Sequence, residues 1–252
     1  MPIFEMSMIN SQKEQSVILY TDRTHSQAEV WYTTPMLKAI IFDMNGVIID
    51  DESLHEEAYR RTFKPLGIGL TAEEFKRDGI GRSDLAFAQT HVANKNRTDI
   101  NLDKLVVKKI DLYFDLLKNV FPIVPGVVET VKALGKRYRL ALTTGSPKVE
   151  VNLILQRLNI TDDFEVVVTA DDFTRSKPDP ESYLLTLKKL GLKPDECVAI
   201  EDSLPGIKSV KAAGMKCIAI STTHTHGELR EADTVIDSLR QLELVLSRIS
   251  PH

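Results

Sequence analysis

Short apolar runs alternate with longer amphipathic stretches along the chain after residue 36. This alternation predicts strands and helices in turn, and therefore parallel βαβ units in a doubly wound α/β sheet. Helix-capping residues support it, since Asp179 and Pro180 are a typical N-cap and first helical residue, and Gly191 and Gly214 are typical of helix ends. The predicted strands are Leu37–Phe42, Arg139–Thr143, Phe164–Val168, Cys197–Ile200 and Lys216–Ile220.

One long segment between the first and second strands lacks any strand pattern. Its helical patterns cover His55–Phe63, Ala72–Arg77, Asp84–Ala93 and Leu102–Asn119. This is too much helix for a single crossover between neighbouring strands. We therefore predict an α-helical domain, residues 53–121, inserted into an α/β core of residues 37–52 and 122–252, with short hinges near Asp50–Ser53 and Phe121–Pro125.

Residues 1–36 precede the first core strand and are predicted to be an N-terminal extension. Within it, Ser16–Tyr20 and Glu29–Thr33 could pair as a hairpin around Asp22–Gln27. Two interpretations stay open: the extension is a functional arm, or it results from an early start codon.

The composition excludes several classes of protein. With 252 residues, 27% of them charged and 42% hydrophobic, the chain has the profile of a soluble globular protein. Its net charge of −4 gives no reason to expect nucleic-acid or membrane partners. No apolar run approaches the ~18 residues of a membrane span, and the first residues lack a signal-peptide pattern. We expect a cytoplasmic monomer or weak homodimer, with Cys197 and Cys217 as buried free thiols.

The first core strand runs into the sequence FDMNGV, residues 42–47. In parallel α/β sheets, ligands bind at the carboxyl ends of the strands, and Gly46 would let the backbone turn sharply there. Asp43 is therefore a candidate nucleophile or metal ligand. Taken alone, an aspartate at this place is also a common turn or N-cap residue.

Two further polar segments lie next to a predicted strand or helix. Thr144, Gly145 and Ser146 follow the second strand and offer hydroxyl and backbone N–H groups to a phosphate oxygen. Lys177 precedes a helix N-terminus and adds a positive charge to a place already suited to anions. Taken alone, the first segment is a weak signal, because these residues also form ordinary turns, and a single lysine is usually a solvated surface residue.

A fourth segment places two acids, Glu201 and Asp202, at the end of another apolar strand. Paired carboxylates suit Mg²⁺, although a solvated N-cap is the alternative. The four segments together offer a carboxylate nucleophile, a hydroxyl clamp, a cation and a metal site. These are the parts needed for phosphoryl transfer through an aspartyl-phosphate.

In this order and spacing, the four segments resemble the motifs of the haloacid dehalogenase (HAD) superfamily, and within it the β-phosphoglucomutase-like phosphatases with a helical cap. The resemblance spans residues 37–248. It implies a HAD-like Rossmannoid core and a cap that closes over the substrate. It also implies Mg²⁺ as the cofactor and a small phosphorylated metabolite as the partner.

The resemblance further implies a metal site and a nucleophile. Asp43 would be the nucleophile and one Mg²⁺ ligand, and the backbone carbonyl of Asn45 would be another. Glu201 and Asp202 would complete the metal site.

Substrate-binding residues follow from the same resemblance. Thr144 and Lys177 would bind the transferred phosphoryl group. In the cap, His55 has a position that faces the active site in the family. The loop Gly79–Arg82 would read the substrate, with Arg82 on a second phosphate or on sugar oxygens. Without the resemblance, His55 and Arg82 are equally well explained as surface residues.

Other residues carry weaker signals. Lys109 and Tyr113 share one helix face. In relatives a lysine at the matching place can reach the site, but a solvated surface position is the favoured interpretation here. Asp78 occupies a position where the sugar-phosphate mutase would carry a lysine, which weakens the mutase interpretation. His224 and His226 are predicted to lie in a surface loop near the crevice rather than on a metal.

One residue departs from the family pattern. Phosphatases of this kind carry a second aspartate two residues after the nucleophile, whereas this chain has Asn45. That aspartate donates a proton to the leaving oxygen and then takes one from water, and losing such help costs ~10²–10⁴ in rate. Three explanations stay open: a deliberate replacement that inactivates the enzyme, natural loss of catalysis, or a chemistry that needs no acid.

The sequence therefore predicts an Mg²⁺-dependent phosphatase for a sugar or polyol phosphate, which acts through a phosphorylated Asp43. A β-phosphoglucomutase-like phosphomutase is the alternative enzyme. A catalytically silent protein that binds a phosphorylated ligand is the alternative outside catalysis, and a metal-independent dehalogenase is more distant.

Overall fold

The computed structural model describes residues 4–10, 16–22, 30–34 and 36–249. The first three ranges form an antiparallel sheet, in the order β1 (Phe4–Asn10), β2 (Ser16–Asp22) and β3 (Val30–Thr34). The pairing of β2 with β3 confirms the predicted hairpin, although part of its turn lies outside the described residues. The sequence analysis missed β1.

The core sheet consists of parallel strands. These are β4 (Ala39–Phe42), β5 (Arg139–Thr143), β6 (Val166–Val168), β7 (Cys197–Glu201), β8 (Lys216–Ile220) and β9 (Thr234–Ile236). The order across the described sheet is β6-β5-β4-β7-β8-β9. The predicted strands are confirmed, with two of them starting later than expected, and the short edge strand β9 was missed.

The strand order creates one reversal point at the centre of the sheet. The chain builds outward from β4 to β5 and β6, then returns to place β7 on the other side of β4. In doubly wound sheets this topological switch point is where ligands bind, beyond the carboxyl ends of the strands. The ends of β4 and β7 therefore define the position of a candidate site.

Helices flank the sheet and also form the long insertion. Those in the insertion are α1 (Glu52–Phe63), α2 (Ala72–Asp78), α3 (Asp84–Asn94) and α4 (Leu102–Leu117). Those of the α/β part are α5 (Val127–Leu134), α6 (Lys148–Leu158), α7 (Glu181–Leu190), α8 (Leu204–Ala212) and α9 (Leu242–Ile249). We call α1–α4 the helical segment. All four of its predicted helices are confirmed, and among the described residues no helix is long and apolar enough to span a membrane.

The two connections of the helical segment lie side by side. Asp50 N–H donates to the Pro122 carbonyl at 2.7 Å, and Val124 N–H donates to the Ile48 carbonyl at 3.1 Å. The chain enters and leaves the segment at one place, where the sequence predicted hinges. The exact domain limits, residues 53–121 for the insertion, stay a prediction.

Apolar side chains divide among three clusters. Along β4, Ile40 and Phe42 pack into one cluster, whereas Ala39 and Ile41 pack into another, because alternate strand residues point to opposite faces. A third cluster lies within the helical segment and includes several aromatic residues. The sheet is thus covered by apolar side chains on both faces.

One helix start differs from the prediction. The helix α7 begins at Glu181, with Pro180 rather than Asp179 at the N-cap. The Asp179 side chain still accepts a hydrogen bond of 3.0 Å from the Glu181 N–H. Gly191 ends the helix in a left-handed conformation, as expected.

Candidate active site

Asp43 lies immediately after β4, at the centre of the switch point. Lys177, on the loop before α7, places its Nζ 2.8 Å from Asp43 Oδ1 and 2.6 Å from Glu201 Oε1. All three side chains are buried. One lysine therefore neutralises part of the charge of two carboxylates contributed by neighbouring strands.

Burial dominates the electrostatics of these groups. It raises the pKa of Asp43 to about 7, the charge of Glu201 adds to this increase, and Lys177 opposes it. Burial lowers the pKa of Lys177, but the charges of Asp43 and Glu201 outweigh it, so the net pKa is raised. Lys177 is therefore a permanent cation beside the candidate nucleophile.

Hydrogen bonds fix Glu201 at the end of β7. Its Oε1 accepts from Lys177 and from the Tyr183 hydroxyl at 2.7 Å. Its Oε2 accepts from the N–H of Asp202 at 3.1 Å and from the Ser203 hydroxyl at 3.0 Å. Glu201 thus orients Lys177 while it faces the same space as Asp43.

Asp202 approaches the loop after β4 because that loop contains a glycine. Gly46 has φ +74°, and a Cβ at this position would lie 2.0 Å from Asp202 Oδ2. The Thr223 hydroxyl donates to the same oxygen, and His224 Nδ1 lies 3.1 Å from the Asp202 carbonyl. Burial and the charge of Glu201 hold the pKa of Asp202 well above its usual range.

The position of His224 corrects a prediction. The sequence analysis placed it in a surface loop, but the side chain is buried against Asp202. The other histidine, His226, is exposed and pairs with Asp237 at 2.6 Å. Thr223, which contacts the Asp202 carboxylate, was missed because a threonine after a strand gives no distinctive signal.

The carboxylates of Asp43, Glu201 and Asp202 offer ligand atoms within 4.8 Å of one another. Lys177 pairs with two of these three buried acids, so negative charge remains that either protonation or a bound cation relieves. Oxygen ligands of this kind suit Mg²⁺. The residues therefore fit the divalent cation that the family resemblance implies.

The loop after β5 brings hydroxyl groups to the same crevice. Thr144 is buried, and its Oγ1 accepts a hydrogen bond from the Ser146 N–H at 3.0 Å. The hydroxyl that accepts this bond still carries a hydrogen that it can donate. Gly145 and Ser146 also line the pocket beside Asp43.

The helical segment covers this crevice through the loop Gly79–Ser83. The Ser83 N–H donates to Ser176 Oγ at 2.8 Å. Gly81 has φ +76°, and a Cβ there would lie 2.3 Å from Ser203 Oγ. Among the described residues, Arg82 Nε is buried without a hydrogen-bond partner, and the residue lines the pocket. The predicted loop between two helices is therefore confirmed and contacts the α/β part.

Asn45 lies between the pocket and a buried acid that the sequence analysis missed. Its Nδ2 donates to Asp51 Oδ1 at 2.9 Å, and its Oδ1 accepts from the Ser146 hydroxyl at 2.9 Å. His55 Nε2 lies 3.1 Å from Asn45 Nδ2. Asp51 is completely buried, whereas the sequence indicated only a hinge at this place.

A second group of charges lies behind His55. Lys109 is completely buried, with Nζ 2.6 Å from His55 Nδ1 and 2.7 Å from Asp84 Oδ1. The ring of Tyr113 stacks on His55, with centroids 4.2 Å apart. Glu150 is also buried and was missed, because an acid in the first turn of a helix usually faces solvent.

The charges around His55 change its protonation. Burial and Lys109 lower its pKa, but Glu150 and Asp51 outweigh them and raise it to about 10. Burial raises the pKa of Asp51, but His55 and the hydrogen bonds from Tyr113 and Asn45 produce a net decrease. The pKa of Glu150 also decreases, since the charge of His55 outweighs burial.

The structure brings eight of the eleven predicted site residues to one pocket, whereas Thr144, Glu201 and Asp202 are not among its lining residues. It is lined by Asp43, Asn45, His55, Gly79, Arg82, Gly145, Ser146 and Lys177, together with Glu52, Tyr59, Phe75, Gly81, Asp84 and Phe87. Asp78, by contrast, pairs with the exposed Arg77. Both cysteines are buried and free, as predicted. The individual catalytic, metal and substrate roles stay predictions.

This chain is similar to known proteins in family, in sequence and in structure. A family model for haloacid dehalogenase-like hydrolases matches residues 37–214. The phosphorylated carbohydrates phosphatase of Thermotoga maritima is 36% identical over 186 residues, which cover 72% of this chain and 84% of that protein. Hexitol phosphatase B of Escherichia coli is 31% identical over 219 residues, which cover 83% and 96%. The crystal structure of β-phosphoglucomutase from Clostridium difficile superposes with a TM-score of 0.76 at 25% identity, covering 85% and 97%.

Proposed function

The chain belongs to the haloacid dehalogenase-like hydrolases, and on that premise we propose that it hydrolyses the phosphomonoester of a small sugar or polyol. The observation that carries this proposal is the position of Asp43. Its carboxylate lies at the switch point of the sheet, 2.8 Å from Lys177, and lines a pocket covered by the helical segment. Relatives named for phosphatase activity on carbohydrate or hexitol phosphates support the substrate class.

The proposed reaction has two displacement steps. In the first, an Asp43 oxygen attacks phosphorus, the bond to the substrate oxygen breaks, and the alcohol leaves with a proton from water. In the second, water attacks the same phosphorus, the Asp43–phosphorus bond breaks, and inorganic phosphate is released. The Lys177 ammonium stabilises the negative charge of the phosphoryl oxygens, and the Thr144 hydroxyl donates to one of them.

We assign the metal site to Asp43, Glu201, Asp202 and the backbone carbonyl of Asn45. Bound Mg²⁺ supplies positive charge that offsets the negative charge of the transferred phosphoryl group. Because Glu201 already accepts hydrogen bonds on both oxygens, Asp43 and Asp202 are the carboxylates with most freedom to bind a cation.

Asn45 limits the rate of the proposed reaction. An amide neither donates a proton to the leaving oxygen nor accepts one from the attacking water. Turnover is then expected below that of relatives with a carboxylate here, by the ~10²–10⁴ typical of a lost acid–base group.

Phosphate release from a panel of sugar and polyol phosphates, with and without Mg²⁺, tests the function. We expect release from at least one ester only when the metal is present, and no release by Asp43→Asn. The exposed Asp115 gives a matched control, and Asp115→Asn should retain full activity. Release by Asp43→Asn at the wild-type rate would disprove the proposed nucleophile.

Transfer of the phosphoryl group to a second sugar is the alternative. The structural likeness to a β-phosphoglucomutase favours it, whereas Asn45 does not separate the two functions, because an attacking sugar hydroxyl must lose a proton just as water must. A sugar bisphosphate donor labelled in one phosphate separates the two functions. Label in inorganic phosphate indicates a hydrolase, whereas label in a second sugar indicates a mutase.

A further inference from the structure

Asp51 has an unusual role for an acid at a helix start. It is the N-cap residue of α1, where an aspartate side chain normally accepts a hydrogen bond from the first turn of the helix. In this structure the side chain makes no such bond. Its Oδ1 accepts from Asn45 Nδ2 and its Oδ2 accepts from the Tyr113 hydroxyl. The carboxylate is therefore directed away from its helix and toward Asn45.

The orientation of the Asn45 amide follows from this contact. An ionised carboxylate only accepts hydrogen bonds, so the Asn45 group that faces Asp51 must be the donor Nδ2. Oδ1 then faces Ser146, whose hydroxyl donates to it. Both polar ends of the amide are bonded, and one of them is bonded to a group with 0% exposure.

We propose that Asp51 is the positioning residue for position 45, and that Asn45 and Asp51 form a matched amide–carboxylate pair. This inference rests on the proposed function, because the residue that Asp51 positions lies in the proposed catalytic pocket. An aspartate at position 45 has the same shape as Asn45 but no donor for Asp51. Two carboxylates would then face each other at hydrogen-bond distance beside His55, whose Nε2 lies 3.1 Å from Asn45 Nδ2. When both are ionised they repel, and sharing a proton requires a raised pKa for one of them.

The pairing with Asp51 gives a structural reason for an asparagine at position 45, so a deliberate replacement is not needed to account for it. It also adds a condition to any attempt to restore the family's aspartate. An ionised carboxylate at position 45 has a hydrogen-bond partner at residue 51 only if residue 51 becomes a donor. The exchange N45D/D51N meets this condition, because the amide introduced at position 51 would donate to the carboxylate introduced at position 45, and the total charge would stay the same.

The test compares wild type, N45D, D51N and N45D/D51N. Asp50→Asn is the matched control, since Asp50 is adjacent and exposed. Thermal unfolding reports the pairing, and kcat and KM for phosphate release report the positioning. A purely structural role of Asp51 would change only the unfolding temperature.

We expect N45D alone to unfold at least ~2–4 °C below wild type, the shift for about 1 kcal/mol in a protein of this size. Any gain in its kcat should be clearly smaller than that of the double exchange, because repulsion by Asp51 displaces the introduced carboxylate. The double exchange should recover the unfolding temperature and raise kcat by about a hundredfold or more, the value of a recovered acid–base group. Asp50→Asn should match wild type in both.

Several results would overturn the inference. Additive stability effects of the two single exchanges would show that the residues are not a pair. An equal gain in kcat by N45D alone would show that Asp51 sets no condition. Recovery of stability by the double exchange without a gain in kcat, in a chain whose wild type releases phosphate, would refute the positioning role.

Two further outcomes are also informative. If N45D fails to fold while N45D/D51N or N45D/D51S folds, the pairing is supported, because serine at position 51 is also a donor. If both double variants fail to fold, the pairing is overturned. If no variant releases phosphate but stability stays non-additive, the pairing stands and the proposed function fails.

Discussion

The Ser83 N–H of the helical segment donates a hydrogen bond to Ser176 Oγ, and the two atoms are 2.8 Å apart. Ser83 is the N-cap of α3, and Ser176 immediately precedes Lys177. One bond therefore connects the cover of the pocket to the loop that carries the cation beside Asp43.

Ser176→Ala removes the acceptor of that bond. A single hydrogen bond contributes about 0.5–1.5 kcal/mol net, so kcat/KM for phosphate release should decrease roughly 2- to 12-fold. Steady-state kinetics measures the decrease. Ser247→Ala removes an exposed hydroxyl on α9 and serves as the control. If both variants match wild type, the contact does not assist closure over the substrate.

Arg82→Lys should raise KM selectively for substrates with a second anionic group. Lysine keeps the charge but loses the planar donors that match a phosphate, and a charge-assisted hydrogen bond contributes about 1.5–3 kcal/mol. We expect KM for a bisphosphate to increase by about 10-fold or more, with a smaller change for a monophosphate. Arg61→Lys, on the exposed face of α1, is the matched control. Equal increases for both substrates would argue against recognition of a second phosphate.

Mg²⁺ should raise the unfolding temperature, because it binds the buried carboxylates of the folded protein. At a concentration 100-fold above Kd the stabilisation is about 2.7 kcal/mol, which corresponds to roughly 5–10 °C. Asp202→Asn should reduce the shift strongly, whereas the exposed Asp162→Asn should retain it. Differential scanning fluorimetry with and without Mg²⁺ provides the measurement. The same shift in Asp202→Asn and wild type would remove Asp202 from the metal site.

The thiols should be unreactive in the folded protein. Burial raises the pKa of Cys197 to about 12 and holds that of Cys217 well above its usual range. Alkylation at pH 8 should therefore be slow until urea unfolds the chain, as mass spectrometry can follow. Between about pH 9 and 12 the Cys197 thiol is protonated in the folded protein but ionised in the unfolded chain. The folded state therefore binds more protons, and the free energy of unfolding should decrease as pH rises through this range. Rapid native labelling of both cysteines would contradict the buried positions.

Much of the site could be predicted because it lies at strand ends. Asp43, Thr144 and Glu201 follow apolar runs directly, and parallel strands bring their carboxyl ends to one edge. Lys177 follows no strand, but the order of motifs placed it with them. The helical segment could be predicted for a similar reason, since its periodicity is long and uninterrupted.

The residues that were missed share a different property. Asp51, Glu150 and Thr223 matter through partners that are distant in sequence, and the two acids are completely buried. An acid at a helix start usually faces water, so the pattern alone indicated a cap or a hinge. The strand β9 was missed because it is short and lies at the sheet edge, where little apolar periodicity is needed.

The pocket wall includes Tyr59, Phe75 and Phe87, which belong to the apolar cluster of the helical segment. The groups that perform chemistry depend instead on the sheet. Substitutions among these aromatic residues can reshape the space for a substrate while the strand ends stay unchanged. Natural substitutions can therefore change which substrate the pocket accepts while the catalytic groups stay the same, because the pocket wall and the catalytic groups lie in different parts of the chain.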